Sequence, residues 1–240
     1  MAHAATQLKY IELNGTLVPV VIRHNYRARN LIMRVESGRV AGDPDKVAVT
    51  LPRQTSVEQA LRFVVSRADW VVASLARIPQ RITICDGARI PYLGHEMPIR
   101  HDPQARRGVW CDDDGIHVSG QPEFLARRVT DWLKREARRE ITTRVADKAE
   151  MIGRPAGQIS IRDTRSRWGS CAANGNLSFS WRLVLAPEFV LDYVITHEVC
   201  HIVEHNHGEN FWRLVSQISP DLKQAKKWLQ QNGERLHRYG

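Results

Sequence analysis

The segment 188–204 constrains the fold most, because it is almost wholly apolar and yet carries several titratable side chains in succession. Its apolar residues run around all sides of a helix, which predicts a helix that is buried against neighbours on most sides. The stretch HEVCH stands at positions 197–201 within this segment. Burying two imidazoles and a carboxylate together costs on the order of several kcal/mol unless a metal ion or hydrogen bonds compensate. The segment therefore predicts a buried helix that holds a ligand.

The spacing of the two histidines in this stretch is that of a metal site. Residues four apart lie about 40° from each other around a helix, so the rings of His197 and His201 can reach one ion. Glu198 lies on the same side, where it can bond a water molecule on that ion without being a ligand. A zinc hydrolase needs this arrangement, in which a Lewis acid stands beside a carboxylate that takes a proton from water. The pattern predicts one zinc ion per chain and Glu198 as the catalytic base.

A catalytic zinc ion commonly has three protein ligands and one position for water, so the third ligand has to come from elsewhere. In a continued helix His205 would lie about 12 Å along the axis from His197, too far to share the ion. His207 is the favoured third ligand, because Asn206 can adopt a left-handed turn and Gly208 is a second flexible point. The alternative third ligands are Glu209 and Glu234.

The first 120 residues are predicted to be rich in strands. Short β-type runs at 9–13, 17–22, 31–35 and 47–51 are separated by turn signals. One helix is expected at about 56–78, because Ser56 and Gln59 form a capping-box pattern at its start. Further short strands are expected at 90–93, 97–101, 109–111 and 116–118.

The region 121–240 has a different pattern. A long helix of mixed charge is expected from Pro122 to about Met151, followed by a strand at 159–162. A hairpin over 167–181 carries Asn174-Gly175, the signal of a two-residue turn. Helical segments at 209–218 and 221–231 follow the apolar helix, and no internal repeat is evident. The chain is thus predicted to be α+β, with regions 1–120 and 121–240 that can also form one continuous domain.

Charge and composition narrow the classes of partner and location. Lysine and arginine number 35 against 26 aspartate and glutamate residues, and the net charge of +9 favours polyanionic partners such as nucleic acid. No apolar run approaches the roughly 18–20 residues that a membrane helix requires, and the N-terminus lacks the pattern of a signal peptide. The four cysteines are widely spaced, which favours reduced thiols. We expect a cytoplasmic protein that does not enter membranes.

Several motifs together resemble a known family. They are RWGSC at 167–171, WRLVLAP at 181–187, HEVCH at 197–201 and His207 with Phe211-Trp212 after it. In combination they are similar to the YgjP-like metallopeptidase-domain proteins, relatives of the zincins, over about residues 20–232. The resemblance implies a zincin-like α+β fold with the active-site helix against a small sheet. It also implies a zinc site at His197, His201 and His207.

The substrate is open between a peptide and a phosphoanhydride. The resembling family is classed by fold among metallopeptidases, whereas members have been assigned a pyrophosphatase activity on UTP. Arginines close together before the hairpin suit phosphate oxygens, although a solvated strand face, or pairing with Asp163 and Glu188, explains them equally well. The predicted substrate-binding residues are Arg165, Arg167, Trp168, Ser170 and Arg182.

A third hypothesis is a basic module that associates with nucleic acid and contains a structural zinc ion. Its phosphate contacts would come from the arginines near the N-terminus, namely Arg23, Arg27, Arg29, Arg34 and Arg39. A structural site normally has four protein ligands. Only three good ligands are found beside the poised Glu198, which favours catalysis.

Overall fold

The computed structural model describes residues 6–38, 43–78, 81–164 and 166–240. The chain divides into two compact units, Met1–Gln80 and Arg81–Gly240, and the described residues form a mixed α+β fold, as predicted. The division lies well before the predicted boundary at 120/121. The reason is that the strands between 89 and 119 share a hydrophobic core with the helices that follow them.

The first unit is a four-stranded sheet with two helices. The predicted single helix at 56–78 is wrong: it is two helices, because Arg67 leaves helical geometry (φ −119°, ψ 24°) and Ser66 donates its hydroxyl to the carbonyl of Phe63. The predicted capping box is present, with Ser56 and Gln59 bonding each other's backbone amides at 3.2 and 2.8 Å. The elements are β1 (Thr6–Leu13), β2 (Thr16–His24), β3 (Ile32–Glu36), β4 (Lys46–Leu51), α1 (Val57–Val65) and α2 (Ala68–Ala76).

The second unit begins with a sheet of the same topology as the first. Both sheets consist of two hairpins joined by a parallel central pair, in the orders β1-β2-β4-β3 and β5-β6-β8-β7. Each sheet is followed by helix, so the chain contains a repeated topology that its residues did not reveal. The strands are β5 (Arg89–Tyr92), β6 (His95–Asp102), β7 (Val109–Asp112) and β8 (Gly115–Ser119).

The rest of the second unit packs around two helices, α3 (Leu125–Met151) and α4 (Glu188–Cys200). Helix α3 buries side chains at intervals of four along one stripe, such as Val129, Leu133 and Ala137. A 3₁₀ turn at Pro122–Phe124 precedes it and another at Trp181–Leu185 precedes α4. The other elements are β9 (Ile159–Arg162), β10 (Gly169–Cys171), β11 (Leu177–Ser180), α5 (Glu209–Ile218) and α6 (Leu222–Leu236).

The three strands β9, β10 and β11 form a small sheet in the order β10-β11-β9, so that β10 lies at an edge. The predicted two-residue turn between β10 and β11 is wrong. The amide of Ala172 donates to the carbonyl of Asn176 at 2.9 Å, which leaves a three-residue loop. Gly175 has φ +79°, the left-handed conformation that such a loop requires. Strand β10 contacts α4, which confirms the predicted packing of this helix against a small sheet.

Helix α4 is the central helix of the second unit. It contacts α3, α5, α6 and β10, and nearly all of its residues from Val190 onward are buried. Its amphipathic pattern is weak because neighbours cover it on several sides. Among the described residues, no helix has both the length and the apolar composition needed to cross a membrane.

Candidate metal centre

Three histidines meet at the end of α4, as predicted. One ring nitrogen of each of His197, His201 and His207 lies within 4.8 Å of the others. His197 stands in the last turn of α4, His201 follows the helix as its C-cap, and His207 precedes Gly208, the N-cap of α5. Among the described residues the group has three donors. The other candidate ligands considered, His205, Glu209 and Glu234, lie outside it.

The turn between α4 and α5 returns His207 to the end of α4. The helix ends at Cys200, earlier than the predicted position 204, and the amide of Glu204 donates to the carbonyl of Cys200 at 2.9 Å. The predicted left-handed conformation of Asn206 is wrong, since it is not among the described residues with positive φ. The reversal comes instead from consecutive hydrogen-bonded turns directly after the helix.

The arrangement of the ring nitrogens fits a metal ion. Nδ1 of His201 lies 3.0 Å from the carbonyl oxygen of Glu204. Because a carbonyl only accepts, Nδ1 carries the proton and the Nε2 lone pair is left for a ligand. Nε2 of His207 and Nε2 of His197 are 3.0 Å apart. Two nitrogens on a tetrahedral zinc ion are separated by a little more than this at a bond length of about 2.0–2.1 Å, so the donor set fits such an ion.

Burial supports the uncharged form of two of these rings, those of His197 and His201. Burial and the two neighbouring histidines lower the pKa of His197 to about 4, and burial also lowers the pKa of His201. Neutral imidazole is the form that binds metal ions. His197 and His201 are therefore ready to bind an ion near neutral pH.

Two aromatic rings of α5 hold the histidines in place. Phe211 stacks on His201 with ring centroids 4.5 Å apart, and Trp212 stacks on His207 at 5.5 Å. The ammonium group of Lys226 lies over the Trp212 ring, 3.5 Å from its centroid, which is a cation–π distance. These contacts explain physically why an aromatic pair follows His207 in the sequence.

Glu198 lies beside the histidines and is buried, with 7% of its surface exposed. Burial raises its pKa to about 7, while the charge of Arg167 and the backbone amide of Cys171 act in the opposite direction. The carboxylate occupies space that only a glycine at position 169 leaves open. A Cβ on Gly169 would lie 2.5 Å from Cγ and 2.7 Å from Oε1 of Glu198. The sequence contains Gly169 but gives no signal of this tertiary contact.

A cavity of about 220 Å³ opens beside Glu198 and His197. Tyr193 lines it and was not predicted, although it precedes His197 by four residues and therefore shares its helix face. Burial and the charge of Glu198 raise the pKa of Tyr193 to about 12, so its hydroxyl keeps its proton. The cavity is lined by Arg167, Trp168, Gly169, Tyr193, Val194, His197, Glu198 and Leu229.

The predicted substrate-binding residues are only partly brought together. Arg167 and Trp168 line the cavity, and Trp168 stacks on the ring of His237 at 4.9 Å. Ser170 follows Gly169 on β10, so strand alternation directs its side chain away from the face that meets Glu198. Arg165 lies outside the described residues.

Arg182 does not line the cavity, and its contacts are with other residues of the fold. Its side chain is buried, with 2% exposed for the residue, and forms an ion pair with Asp163. It also donates to the carbonyl of Tyr239 at 3.1 Å and lies over the ring of Trp181. A buried guanidinium needs such partners, and they tie the C-terminus to the sheet. The ion pair with Asp163 is the alternative to substrate binding that the sequence left open for these arginines.

A match to a known protein family agrees with this geometry. The sequence matches the family described as "YgjP-like, metallopeptidase domain" over residues 37–232. A search of curated proteins gave no significant match. Among solved structures, the metallopeptidase zymogen abylysin of Pyrococcus abyssi has 18% identity and a TM-score of 0.35, covering 38% of this chain and 93% of its own. That likeness is too slight to bear on the assignment. On the family match, the chain belongs to the YgjP-like family of metallopeptidase domains.

Proposed function

We propose that the chain is a zinc-dependent hydrolase in which Glu198 is the general base. The observation that carries this proposal is the placement of Glu198 and His197 on one small cavity, with His201 and His207 completing the donor set. A zinc ion bound by three imidazoles would supply Lewis acidity and lower the pKa of water.

The chain's own residues supply the proton transfers. With a pKa of about 7, Glu198 can take one proton from water and later release it to the leaving group. The hydroxide left after the first proton transfer attacks the electrophile, and the bond to the leaving group breaks. Tyr193 keeps its hydroxyl proton and can donate it in a hydrogen bond to the oxygen that gains charge.

A peptide bond is the electrophile that the strand geometry favours. The carbonyl of Trp168 and the amide of Ala172 bond to β11 and its loop, so the peptide groups of Gly169 and Cys171 turn toward the open edge of β10. The amide of Cys171 there donates to Glu198. An extended peptide can pair with such an edge, and it would then lie beside the base.

A phosphoanhydride, as in UTP, is the second candidate. One observation favours it: Arg167 lines the cavity, and a guanidinium stabilises negative charge on phosphate oxygens. The loss of Arg182 to a structural contact weakens this candidate. A purely structural zinc ion is the third candidate, and the three-donor set beside a carboxylate argues against it.

The experiment is a substrate panel with the zinc-loaded protein. The panel contains a fluorescently labelled unfolded protein, UTP and ATP. The variant Glu198→Gln serves as the negative control for each substrate. We expect new peptide termini that are absent with Glu198→Gln. Pyrophosphate release from UTP that disappears in the same variant would identify the second candidate. If zinc is bound and no substrate is turned over, the result would favour the third candidate, a purely structural zinc ion.

Location is part of the proposal. All four cysteines, Cys85, Cys111, Cys171 and Cys200, are free thiols, which suits a reducing compartment such as the cytoplasm. Fractionation of cells that produce the protein, followed by immunodetection, measures where it resides.

A further inference from the structure

A second cavity, of about 430 Å³, lies between α3 and β9, and basic side chains surround it. Lys134, Arg135 and Arg138 project into it from adjacent turns of α3, and Arg162 does so from the end of β9. Apart from one carboxylate, that of Asp163, its other lining residues are apolar, Ile161 and Trp181. We call these four basic residues the basic cluster.

The basic cluster has no acidic partner among the described residues. The ion pairs of the described chain include none of its four cations, and Asp163 is bound to the buried Arg182. Other basic residues of α3 do have partners: Arg139 and Arg144 with glutamates, Lys148 with Asp192, Arg128 with a carbonyl and Arg127 with an aromatic ring. The basic residues of α3 without such a described contact therefore all lie at the cavity.

The cluster suits phosphate groups. Guanidinium groups match the geometry of phosphate oxygens and remain charged at any physiological pH. The ring of Trp181 is only 1% exposed, so it offers no face for a stacked base. Recognition here would use phosphates alone, which is the sequence-independent part of nucleic-acid binding.

We propose that the basic cluster binds the phosphodiester backbone of a nucleic-acid strand. Lys134, Arg135 and Arg138 are exposed, so they can contact several successive phosphates of a polymer that lies along the cavity. The net charge of +9 would draw such a strand toward the protein. This site is separate from the residues of the metal centre, and the proposal stands whether or not the chain is a peptidase.

The test measures binding of a fluorescein-labelled 12-nucleotide oligo(U) to the zinc-loaded protein by anisotropy, over a series of salt concentrations. The variant Lys134→Gln/Arg135→Gln/Arg138→Gln should bind at least about 10-fold more weakly at low salt. The slope of log K against log salt should also fall by about 2, since each lost single-strand contact removes roughly 0.7. Its melting temperature and zinc content report whether the fold is intact.

Two matched variants keep the result interpretable. Arg62→Gln/Arg67→Gln/Arg77→Gln removes the same charge from exposed positions of the first unit, and it should weaken binding by less than about 2-fold. The charge-preserving Lys134→Arg/Arg135→Lys/Arg138→Lys should retain binding. Equal losses in both charge-removing variants, or no loss in either, would overturn the proposal.

Two further arms separate the possible sources of phosphate. Oligo(dT) of the same length should compete with the RNA, because the backbone contacts do not depend on the sugar. Inorganic pyrophosphate at equal phosphate concentration should compete poorly, since it spans few of the cations. Displacement of the oligonucleotide by pyrophosphate at that concentration would show a small-anion site and contradict the nucleic-acid assignment.

Discussion

Replacing Glu198 with glutamine should abolish turnover while zinc remains bound. The amide cannot accept a proton from water, so the rate should fall by about 10²- to 10⁴-fold, the usual contribution of a positioned base. The substitution is nearly isosteric and removes a buried carboxylate whose pKa is already raised to about 7. The three imidazoles are untouched, so the metal content should not change. The rate with the best substrate of the panel and zinc analysis measure both effects.

Two outcomes would contradict this expectation. Unchanged turnover would remove Glu198 from the mechanism, and loss of zinc would make the carboxylate part of the metal binding itself. Glu198→Asp is the useful companion, because it retains the acid but withdraws it by one methylene. We expect it to recover part of the activity that glutamine loses.

Replacing Gly169 with alanine should lower turnover by about 100-fold with little change in the fold. The new Cβ would lie within 2.8 Å of three side-chain atoms of Glu198, and a side chain moves more easily than backbone. The carboxylate should therefore shift away, and a displacement of about 1 Å at a reacting group costs on the order of 100-fold in rate. Turnover and the melting temperature of the same preparation measure the two effects.

Gly208→Ala is the control for this substitution. Gly208 is the N-cap of α5 at φ −77°, and a Cβ there meets no heavy atom within 4 Å. The substitution adds the same methyl group close to His207 without a steric clash. Activity should stay within about 2-fold of the parent, because surface substitutions that meet no neighbour have small effects. Equal losses at Gly208 and Gly169 would show that glycine flexibility, rather than room for Glu198, determines the rate.

Local sequence signals were enough to predict the elements whose ends are set by adjacent turn and cap residues. Strand β9 at Ile159–Arg162 and helix α5 at Glu209–Ile218 have the predicted bounds, because turn residues and caps lie directly beside them. The histidine pair was predicted for the same reason, since its spacing fixes its geometry on any helix. His207 also came from the sequence, although the turn that delivers it was expected to have another conformation.

Tertiary contacts account for what the sequence could not indicate. Whether Arg182 faces substrate or a buried partner depends on Asp163 and on the carbonyl of Tyr239, which lie far from it in the chain. Room for Glu198 depends on Gly169 in another element. The boundary between the units depends on which core the middle strands join, and their alternating pattern suits either core.

Zinc content after dialysis is the most direct measurement of the central claim, that three histidines at the end of α4 bind one ion. The parent protein should retain about one zinc per chain, as a preformed three-imidazole site implies. His207→Ala should bind zinc at least about 100-fold more weakly, since one ligand of three is removed. His205→Ala, which alters an exposed histidine outside the cluster, should retain the metal. Full zinc content in His207→Ala, or its loss in His205→Ala, would contradict the account.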